Sequence, residues 1–267
     1  MDLFLKALIL GVVEGLTEFL PISSTGHMIL VNEFVQLEHS FATMFEVVIQ
    51  LGAILSVVLY FWPKLSAVFS ADVLKRAECR GLWIRAIIGV FPALVIGAIA
   101  GDFVEAHLFN PMVVAIALAF WGIVLIVLES RHRKPSITSV AELPIKIVLG
   151  IGLIQCLAMV PGTSRSAATI VGAMLLGASR GVAAEFSFFL AIPTMAAASA
   201  YTLLKSGLNY SSDQWLALGL GFVTAFLVAW ATIAFLMRYI QTRDFRPFGY
   251  YRVVLGVLVA AFFLWVK

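Results

Sequence analysis

Residues 14–27 read Glu-Gly-Leu-Thr-Glu-Phe-Leu-Pro-Ile-Ser-Ser-Thr-Gly-His, a polar stretch inside an apolar region that extends from about residue 3 to residue 35. A second apolar region, about 145–180, is interrupted in a similar way by residues 161–166, Pro-Gly-Thr-Ser-Arg-Ser. Proline and glycine break helices. Non-helical backbone at membrane depth is tolerated only inside protein or beside a water-filled cavity. We therefore interpret both regions as re-entrant helix hairpins.

The composition of the whole chain is that of a membrane protein. Of its 267 residues, 62% are hydrophobic and 12% are charged, and the mean hydropathy is +1.03. A soluble domain is about 45–50% apolar and about 25% charged, so the bilayer must be the solvent for most of this chain. The net charge of +3 is mild, and we expect no nucleic-acid partner. Apolar blocks near the ~20 residues that cross a bilayer lie at about 44–62, 84–100, 111–129, 182–204, 214–237 and 250–266.

The charges between these blocks predict their orientation. Lysine and arginine cluster at 64–85, 131–146 and 238–252, whereas the loops at 101–110 and 205–213 are mainly acidic. The positive-inside rule places the three basic regions in the cytoplasm. The alternation is consistent only if neither interrupted region makes a net crossing, which independently favours two hairpins.

The two halves of the chain also resemble each other. Residues 21–26 are similar to 161–166, offset by 140 (161 − 21), and residues 11–16 are similar to 152–157 with a slip of one residue. Each half then contains one hairpin and three crossings. Because three is odd, the second half enters from the opposite side of the membrane, as in inverted-repeat proteins.

We therefore predict an all-α polytopic membrane protein with a single membrane domain over residues 1–267. The first repeat covers about 1–130 and the second about 145–267. Each repeat comprises one re-entrant hairpin and three transmembrane helices, and the two broken tips meet near the bilayer midplane.

Two carboxylates lie in the first hairpin. Glu14 and Glu18 are four residues apart, so they share one face of a helix. A charge at membrane depth costs about 2.5–3.5 kcal/mol even on the gentler insertion scale. The pair therefore favours a function, either general acid–base chemistry or binding of a divalent metal. A water-filled vestibule or a salt bridge to an arginine is the structural alternative.

Hydroxyl side chains and a histidine follow the first break. Backbone N–H groups at a helix start bind anions, although Ser23 and Thr25 are also ordinary helix caps. Ser24, three residues before His27 and near two carboxylates, has the composition of an activated nucleophile. His27 is almost equally well explained as a buried, hydrogen-bonded histidine.

The second break contains an arginine. Arg165 lies between Ser164 and Ser166, and its planar guanidinium matches phosphate oxygens in a bidentate manner. A salt bridge from Arg165 to Glu14 or Glu18 is the structural alternative. Both are compatible, with the carboxylate as partner when the site is empty and phosphate when it is occupied.

Other charged residues are less informative. Glu46 and Glu185 begin spans, so they either favour a helix N-terminus or line the site. Arg180 is interpreted as an interfacial, snorkelling residue. Arg252 belongs to the basic group that precedes the last span and is interpreted as a topology signal.

The two interrupted stretches resemble a known family. Residues 14–27 are similar to the first signature of the bacterial undecaprenyl-diphosphate phosphatases of the bacitracin-resistance (BacA/UppP) type, and residues 161–169 are similar to the second. Residues 45–52 and 185–193 are similar as well, so the resemblance covers essentially the whole chain. It implies an inner-membrane hydrolase that removes the terminal phosphate of undecaprenyl diphosphate, which recycles the lipid carrier of peptidoglycan synthesis and confers bacitracin resistance. The implied active site opens to the periplasm.

The resemblance and the residue chemistry together give a set of expected roles. A polyprenyl diphosphate and membrane lipids are the expected partners, Mg²⁺ or Ca²⁺ is the expected cofactor, and whether the chain forms a homodimer stays open. The expected catalytic residues are Glu18, Ser24, His27 and Arg165; the substrate-binding residues are Ser23, Thr25, Gly26, Ser164, Ser166 and Arg165; and the metal ligands are Glu14 and Glu18.

Two alternatives remain at the level of sequence. A secondary transporter or flippase for an anionic or lipid-phosphate substrate also uses inverted repeats with broken midplane helices, and it would return its ligand unchanged. Within the phosphatase hypothesis, the attacking group is either Ser24 or a water molecule activated by Glu18. The other lipid-phosphatase superfamily is disfavoured, because no His-x-x-x-Asp sequence follows Ser164-Arg165.

Overall fold

The structure is a computed structural model that describes residues 1–131, 134–205 and 210–265, without the side chains of residues 39, 40, 105 and 205. Parts of two predicted loops, 131–146 and 205–213, therefore lie outside the described residues.

Regular structure in the described ranges is helical, apart from an isolated bridge between Ile137 and Ala178. Short 3₁₀ segments lie at Ser66–Phe69, Val140–Glu142 and Cys156–Met159. The α-helices are α1 (Leu3–Thr17), α2 (Ser24–Val35), α3 (His39–Tyr60), α4 (Trp62–Leu65), α5 (Val73–Leu108), α6 (Pro111–Ser130), α7 (Ile145–Gln155), α8 (Arg165–Leu175), α9 (Arg180–Lys205), α10 (Ser212–Tyr239) and α11 (Arg246–Trp265).

Within the described part of the chain, six helices are long and apolar enough to cross a membrane: α3, α5, α6, α9, α10 and α11. They coincide with the six apolar blocks of the sequence, which confirms that part of the prediction. The predicted bounds of the loops on either side of α5 are wrong, because this helix runs from Val73 to Leu108 and includes residues that were assigned to both loops. Asp72 caps its start by accepting hydrogen bonds from the backbone N–H groups of Leu74 and Lys75. The lysines and arginines that follow are good helix formers, so the span continues into its charged flank.

Besides the four-residue α4, four α-helices of the described ranges are too short to span a bilayer alone. α1, α2, α7 and α8 contain 15, 12, 11 and 11 residues, whereas a crossing needs about 20. They form two pairs, α1 with α2 and α7 with α8, and each pair is separated by one of the interrupted stretches. The helix–break–helix segments expected from the prolines are therefore present.

Close packing at glycines fixes the first helix of each pair. α1 packs on α10 and α7 packs on α5. A Cβ atom on Gly15 would lie 2.8 Å from the Ala225 carbonyl oxygen, and one on Gly152 would lie 2.2 Å from the Gly89 carbonyl oxygen. Small residues allow helices to approach closely in membranes. Both short helices are thus held against long helices from the other half of the chain.

The long helices surround these two pairs. α3 packs against α9 and α10, α5 packs against α9, and α6 packs against α11. Phe19, next to the first break, contacts Phe188 of α9 edge to face with ring centroids 5.5 Å apart. The outer faces are apolar: Ile87, Phe91 and Ile99 of α5 are exposed. Such faces are suited to contact with membrane lipids.

Candidate active site

Glu18 connects the two interrupted segments. Its Oε2 accepts a 2.7 Å hydrogen bond from the Ser24 hydroxyl, and its Oε1 accepts a 2.9 Å bond from Nη2 of Arg165. Ser24 is the first residue of α2 and Arg165 is the first residue of α8. The Glu18 and Arg165 side chains are only 10% and 13% exposed. Three residues that the sequence marked as catalytic thus form one contact group, and the salt bridge considered for Arg165 is made to Glu18.

The Arg165 guanidinium is held by several contacts, but one of its hydrogen-bond donors has no acceptor. Nη1 donates to the Ser187 carbonyl oxygen at 3.1 Å, and Nη2 lies 3.5 Å from the sulfur of Met195. The ring of Phe19 lies 5.7 Å from the guanidinium carbon. The Nε atom is buried and has no hydrogen-bond partner. An unsatisfied buried donor is costly, so the group is ready for an acceptor such as a phosphate oxygen.

Each break ends in a serine with the same unusual conformation. Ser23 has φ of 74° and its hydroxyl accepts a bond from the Gly26 N–H at 3.3 Å. Ser164 has φ of 72° and accepts from the Ala167 N–H at 3.2 Å. Positive φ is uncommon for residues other than glycine, and it persists only where the surrounding structure imposes it. Both serines are helix N-caps, which agrees with the capping role considered for Ser23.

These matched caps have the same separation in sequence as a second pair of buried residues. Ser23 and Ser164 are 141 residues apart (164 − 23), and so are the buried side chains of Glu14 and Gln155 (155 − 14). The offset of 140 taken from the two prolines differs by one, whereas the upstream match of residues 11–16 with 152–157 also has an offset of 141 (152 − 11). With the offset of 141, Ser24 and Arg165 occupy equivalent positions in the two segments (165 − 24).

The Ser166 hydroxyl connects the second break to a backbone carbonyl group of the first. It is fully buried, its hydroxyl lies 3.0 Å from that of Ser164, and it donates to the Leu20 carbonyl oxygen at 2.9 Å. In the first segment, Thr25 is partly buried next to Ser24, and Gly26 lies against Leu118 of α6. Ser164 and Ser166 therefore lie where the two breaks meet, and Thr25 and Gly26 lie in the first turn of α2.

His27 lies near this junction but does not bond to the candidate nucleophile. Its Nδ1 lies 2.7 Å from the Ser23 carbonyl oxygen and its Nε2 lies 2.6 Å from the Tyr251 hydroxyl. A carbonyl can only accept, so Nδ1 carries a proton and the neutral ring accepts from Tyr251. In the part of the chain that the structure describes, neither ring nitrogen of His27 is hydrogen-bonded to Ser24. His27 instead holds the backbone of the first N-cap.

Glu14 is the second buried carboxylate of the site. It is 2% exposed, its Oε1 has no hydrogen-bond partner, and it interacts electrostatically with Glu18, Glu46 and Arg165. Among residues 1–131, 134–205 and 210–265, no three histidine, cysteine or acidic side chains converge as a metal cluster. Glu14 is thus the carboxylate with an oxygen available for a ligand, whereas both oxygens of Glu18 are already bonded.

Arg252 is a site residue that the sequence interpretation missed. Its side chain is completely buried. Nη1 donates to the Pro21 carbonyl oxygen at 3.1 Å, and Nη2 donates to those of Gly162 and Thr163 at 2.8 and 2.9 Å. Its Nε donates to the Leu118 carbonyl oxygen at 3.4 Å. The topology interpretation was wrong, and the available signal was an arginine inside the last apolar block rather than before it.

Glu185 and Arg180 have partners away from the junction, whereas Glu46 accepts a 3.4 Å hydrogen bond from Asn32 and interacts electrostatically with Glu14. Glu46 and Glu185 lie beyond the first turn of α3 and α9, so neither favours a helix N-terminus as considered. Glu185 pairs with Lys64 at 2.6 Å. Arg180, interpreted as a snorkelling residue, is partly exposed and binds both carboxylate oxygens of Glu129, with its Nε at 2.9 and 3.0 Å.

The fold and the site together define a helical integral membrane protein in which two helix N-termini, a serine–carboxylate pair and an arginine meet at one place. A family model described as bacitracin resistance protein BacA matches residues 7–258. The chain belongs to this family. It is a multi-pass membrane protein of bacteria.

Individual relatives are similar over nearly their full length. An Undecaprenyl-diphosphatase 1 of Clostridioides difficile (strain 630) is 53% identical over 97% of this chain and 95% of the relative. An Undecaprenyl-diphosphatase of Limosilactobacillus fermentum is 50% identical over 97% of both chains. One of Enterococcus faecalis is 48% identical over 96% of this chain and 95% of the relative.

Proposed function

We propose that this chain hydrolyses undecaprenyl diphosphate to undecaprenyl phosphate and inorganic phosphate, the reaction that the names of its relatives describe. The observation that carries the proposal is the double contact of Glu18, which accepts from the Ser24 hydroxyl and from the Arg165 guanidinium. One carboxylate thereby links a hydroxyl nucleophile to a phosphate-binding cation. This is the arrangement needed for transfer of a phosphoryl group.

The terminal phosphoryl group binds between the starts of α2 and α8. Both helix N-termini present backbone N–H groups and the positive ends of their dipoles to it. Arg165 turns from Glu18 to the phosphate and binds it with its planar fork, and the unpartnered Nε becomes satisfied. Ser23, Ser164 and the residues that follow them hold these N–H groups in place. The prenyl tail lies between helices in the apolar part of the bilayer.

Chemistry then proceeds in two steps. The Ser24 oxygen attacks the terminal phosphorus and gives its proton to Oε2 of Glu18, while the bond from that phosphorus to the bridging oxygen breaks. Undecaprenyl phosphate leaves and takes the proton. Water then attacks the phosphoserine, with Glu18 accepting a proton from it and returning one to the Ser24 oxygen as phosphate departs. Direct attack by water, activated by Glu18 with Ser24 binding the phosphate, gives the same products.

A divalent cation fits one part of the site. Mg²⁺ is commonly held by one or two carboxylates together with substrate phosphates, and the buried Oε1 of Glu14 has no protein partner. We assign Glu14 as the ligand for Mg²⁺ or Ca²⁺, with Glu18 beside it. The bound ion would neutralise charge on the diphosphate.

An inverted repeat accounts for how this site is built. We pair α1 with α7, α3 with α9 and α5 with α10 as equivalent helices. Each contact in one half then has a counterpart: the α1–α10 contact corresponds to the α7–α5 contact, and the α10–α3 contact corresponds to the α5–α9 contact. The matched serine caps at an offset of 141 residues support the same relation. We therefore infer one membrane domain over 1–267, with repeats at about 1–130 and 145–267 and a re-entrant hairpin in each.

The orientation follows from the charges. With the three basic regions in the cytoplasm, α3 begins on the periplasmic side, and α2, which precedes it directly, leads back to that side. The first hairpin thus enters from the periplasm of an inner membrane. We infer that Glu14 and Glu18, which lie on this hairpin, open to the periplasmic side.

The test is product analysis with purified protein in detergent. Incubation with undecaprenyl diphosphate should give undecaprenyl phosphate and inorganic phosphate in equal amounts by mass spectrometry. Recovery of intact diphosphate from well-folded protein would refute the hydrolase and favour the transporter alternative, in which the same residues only bind the anion.

A further inference from the structure

Arg252 is a buried cation with no acidic partner. Among the described residues, no carboxylate forms an ion pair with it, and its donors all go to backbone carbonyl oxygens. A buried charge without a counter-ion is unfavourable in protein and in the membrane.

The carbonyl groups that Arg252 binds occupy equivalent places in the two breaks. Pro21 and Gly162 are 141 residues apart (162 − 21), the same offset that relates Ser23 to Ser164. Each carbonyl lies two residues before the positive-φ serine that begins the next helix. A single guanidinium therefore joins the two breaks at the same structural position in each.

Resting on the proposed hydrolysis, we infer that Arg252 is a positioning residue for that reaction. Its fork holds the two breaks at a fixed separation, and this separation sets the distance between Ser24 on one helix start and Arg165 on the other. Arg252 touches neither residue directly. It acts through the carbonyl groups of Pro21, Gly162 and Thr163.

The geometry requires an arginine rather than any cation. Two nitrogens of one planar group reach carbonyls of two different breaks, whereas a lysine ammonium is a single point at the end of a flexible chain. Lysine at this position retains the charge but bridges the breaks poorly. The packing of α11 does not depend on the bridge, because Gly249 and Gly256 bring α11 close to α6 independently. We therefore expect Arg252→Lys to fold.

The test compares Arg252→Lys with Arg180→Lys, a change at another arginine that is held by Glu129 outside the site. Since a displacement of about 1 Å can cost about 100-fold in rate, Arg252→Lys should lower kcat about 100-fold with KM changed less than about threefold, and Arg180→Lys should keep both values within about threefold. An Arg252→Lys protein with wild-type kcat would overturn the inference.

A double-variant comparison separates positioning from general stability. If Arg252 acts by aligning Arg165 with Ser24, then adding Arg252→Lys to Arg165→Ala should lower the residual rate by less than about threefold, because interacting residues are non-additive. A purely structural role would lower the rate by the same factor in both backgrounds, and that result would also overturn the inference.

Hydrogen exchange provides a readout that does not need turnover. Amides of residues 22–27 and 163–168 should exchange faster in Arg252→Lys than in wild type, and they should be unchanged in Arg180→Lys. If exchange is faster in Arg252→Lys but the wild-type protein releases no phosphate, the proposed hydrolysis is contradicted and the bridge is retained. Unchanged exchange at both breaks would contradict the bridge.

Discussion

Replacing Glu18 with glutamine tests the contact on which the proposed chemistry depends. The carboxylate accepts one hydrogen bond on each oxygen, from Ser24 at 2.7 Å and from Arg165 at 2.9 Å. An amide of the same shape has only one acceptor. Since Arg165 can only donate, the amide oxygen must face it and the NH₂ group must face Ser24. The serine then accepts a hydrogen bond, and no base remains to take its proton.

The expected effect on activity is much larger than the effect on stability. Loss of a general base typically lowers the rate about 10²–10⁴-fold. A hydrogen bond to a charged partner contributes about 1.5–3 kcal/mol and a neutral one about 0.5–1.5 kcal/mol, so the weakened pair with Arg165 should cost about 1–2 kcal/mol of stability. Glu18→Gln should therefore fold and be nearly inactive.

The assay is phosphate release from undecaprenyl diphosphate, beside a thermal melt in the same detergent. Glu185→Gln is the matched control, because it makes the same change at a carboxylate whose lysine partner is 58% exposed. Such a pair contributes about 0–1 kcal/mol, and this variant should keep its activity. A folded Glu18→Gln protein with wild-type turnover would remove Glu18 from the chemistry.

Three further results are expected. Arg165→Lys should lose about 10²-fold or more in kcat/KM, because a charge-assisted bond contributes about 1.5–3 kcal/mol and the fork makes more than one; near-normal kinetics would exclude the clamp. Ser24→Ala should abolish turnover if the serine attacks, whereas substantial residual release would assign the attack to water. A chelator should lower the rate of wild type, and Glu14→Gln should weaken the response to added Mg²⁺; an identical metal titration in both would exclude Glu14 as a ligand.

The sequence predicts the membrane spans well because each depends on a local property. The apolar block at 111–129 corresponds closely to α6, which Asn110 caps through the Val113 N–H and Pro111 begins. The boundaries of α5 could not be found in this way. Its first turns are charged and outside the apolar block, and only the cap at Asp72 marks the start.

The residues of the candidate site also differ in whether a local property of the sequence indicates them. Glu18, Ser24 and Arg165 are conspicuous as polar residues in apolar surroundings, and the structure brings them into contact. Arg252 and Tyr251 are distant in sequence from both breaks. The position of Arg252 inside an apolar block is a local signal, but the partners of the two residues, backbone carbonyl groups for Arg252 and a histidine ring for Tyr251, leave no mark on the sequence around them. Their roles depend on how α11 packs, which no local pattern reports.

The comparison of the two interrupted segments shows the same limit. Matching the two prolines gives an offset of 140, whereas the upstream match of residues 11–16 with 152–157 and the matching conformations of Ser23 and Ser164 give 141. At the offset of 141, Ser24 and Arg165 are the first residues of the two helices that follow the interrupted segments.

The most direct test of the account is phosphate release from a C55 prenyl diphosphate by wild type and by one variant from each hairpin, Ser24→Ala and Arg165→Ala. If the two helix starts form a single active site, wild type should release phosphate and either variant should reduce release to near background while remaining folded. Phosphate release at the wild-type rate by both Ser24→Ala and Arg165→Ala would contradict the claim that the reaction takes place where the two hairpins meet.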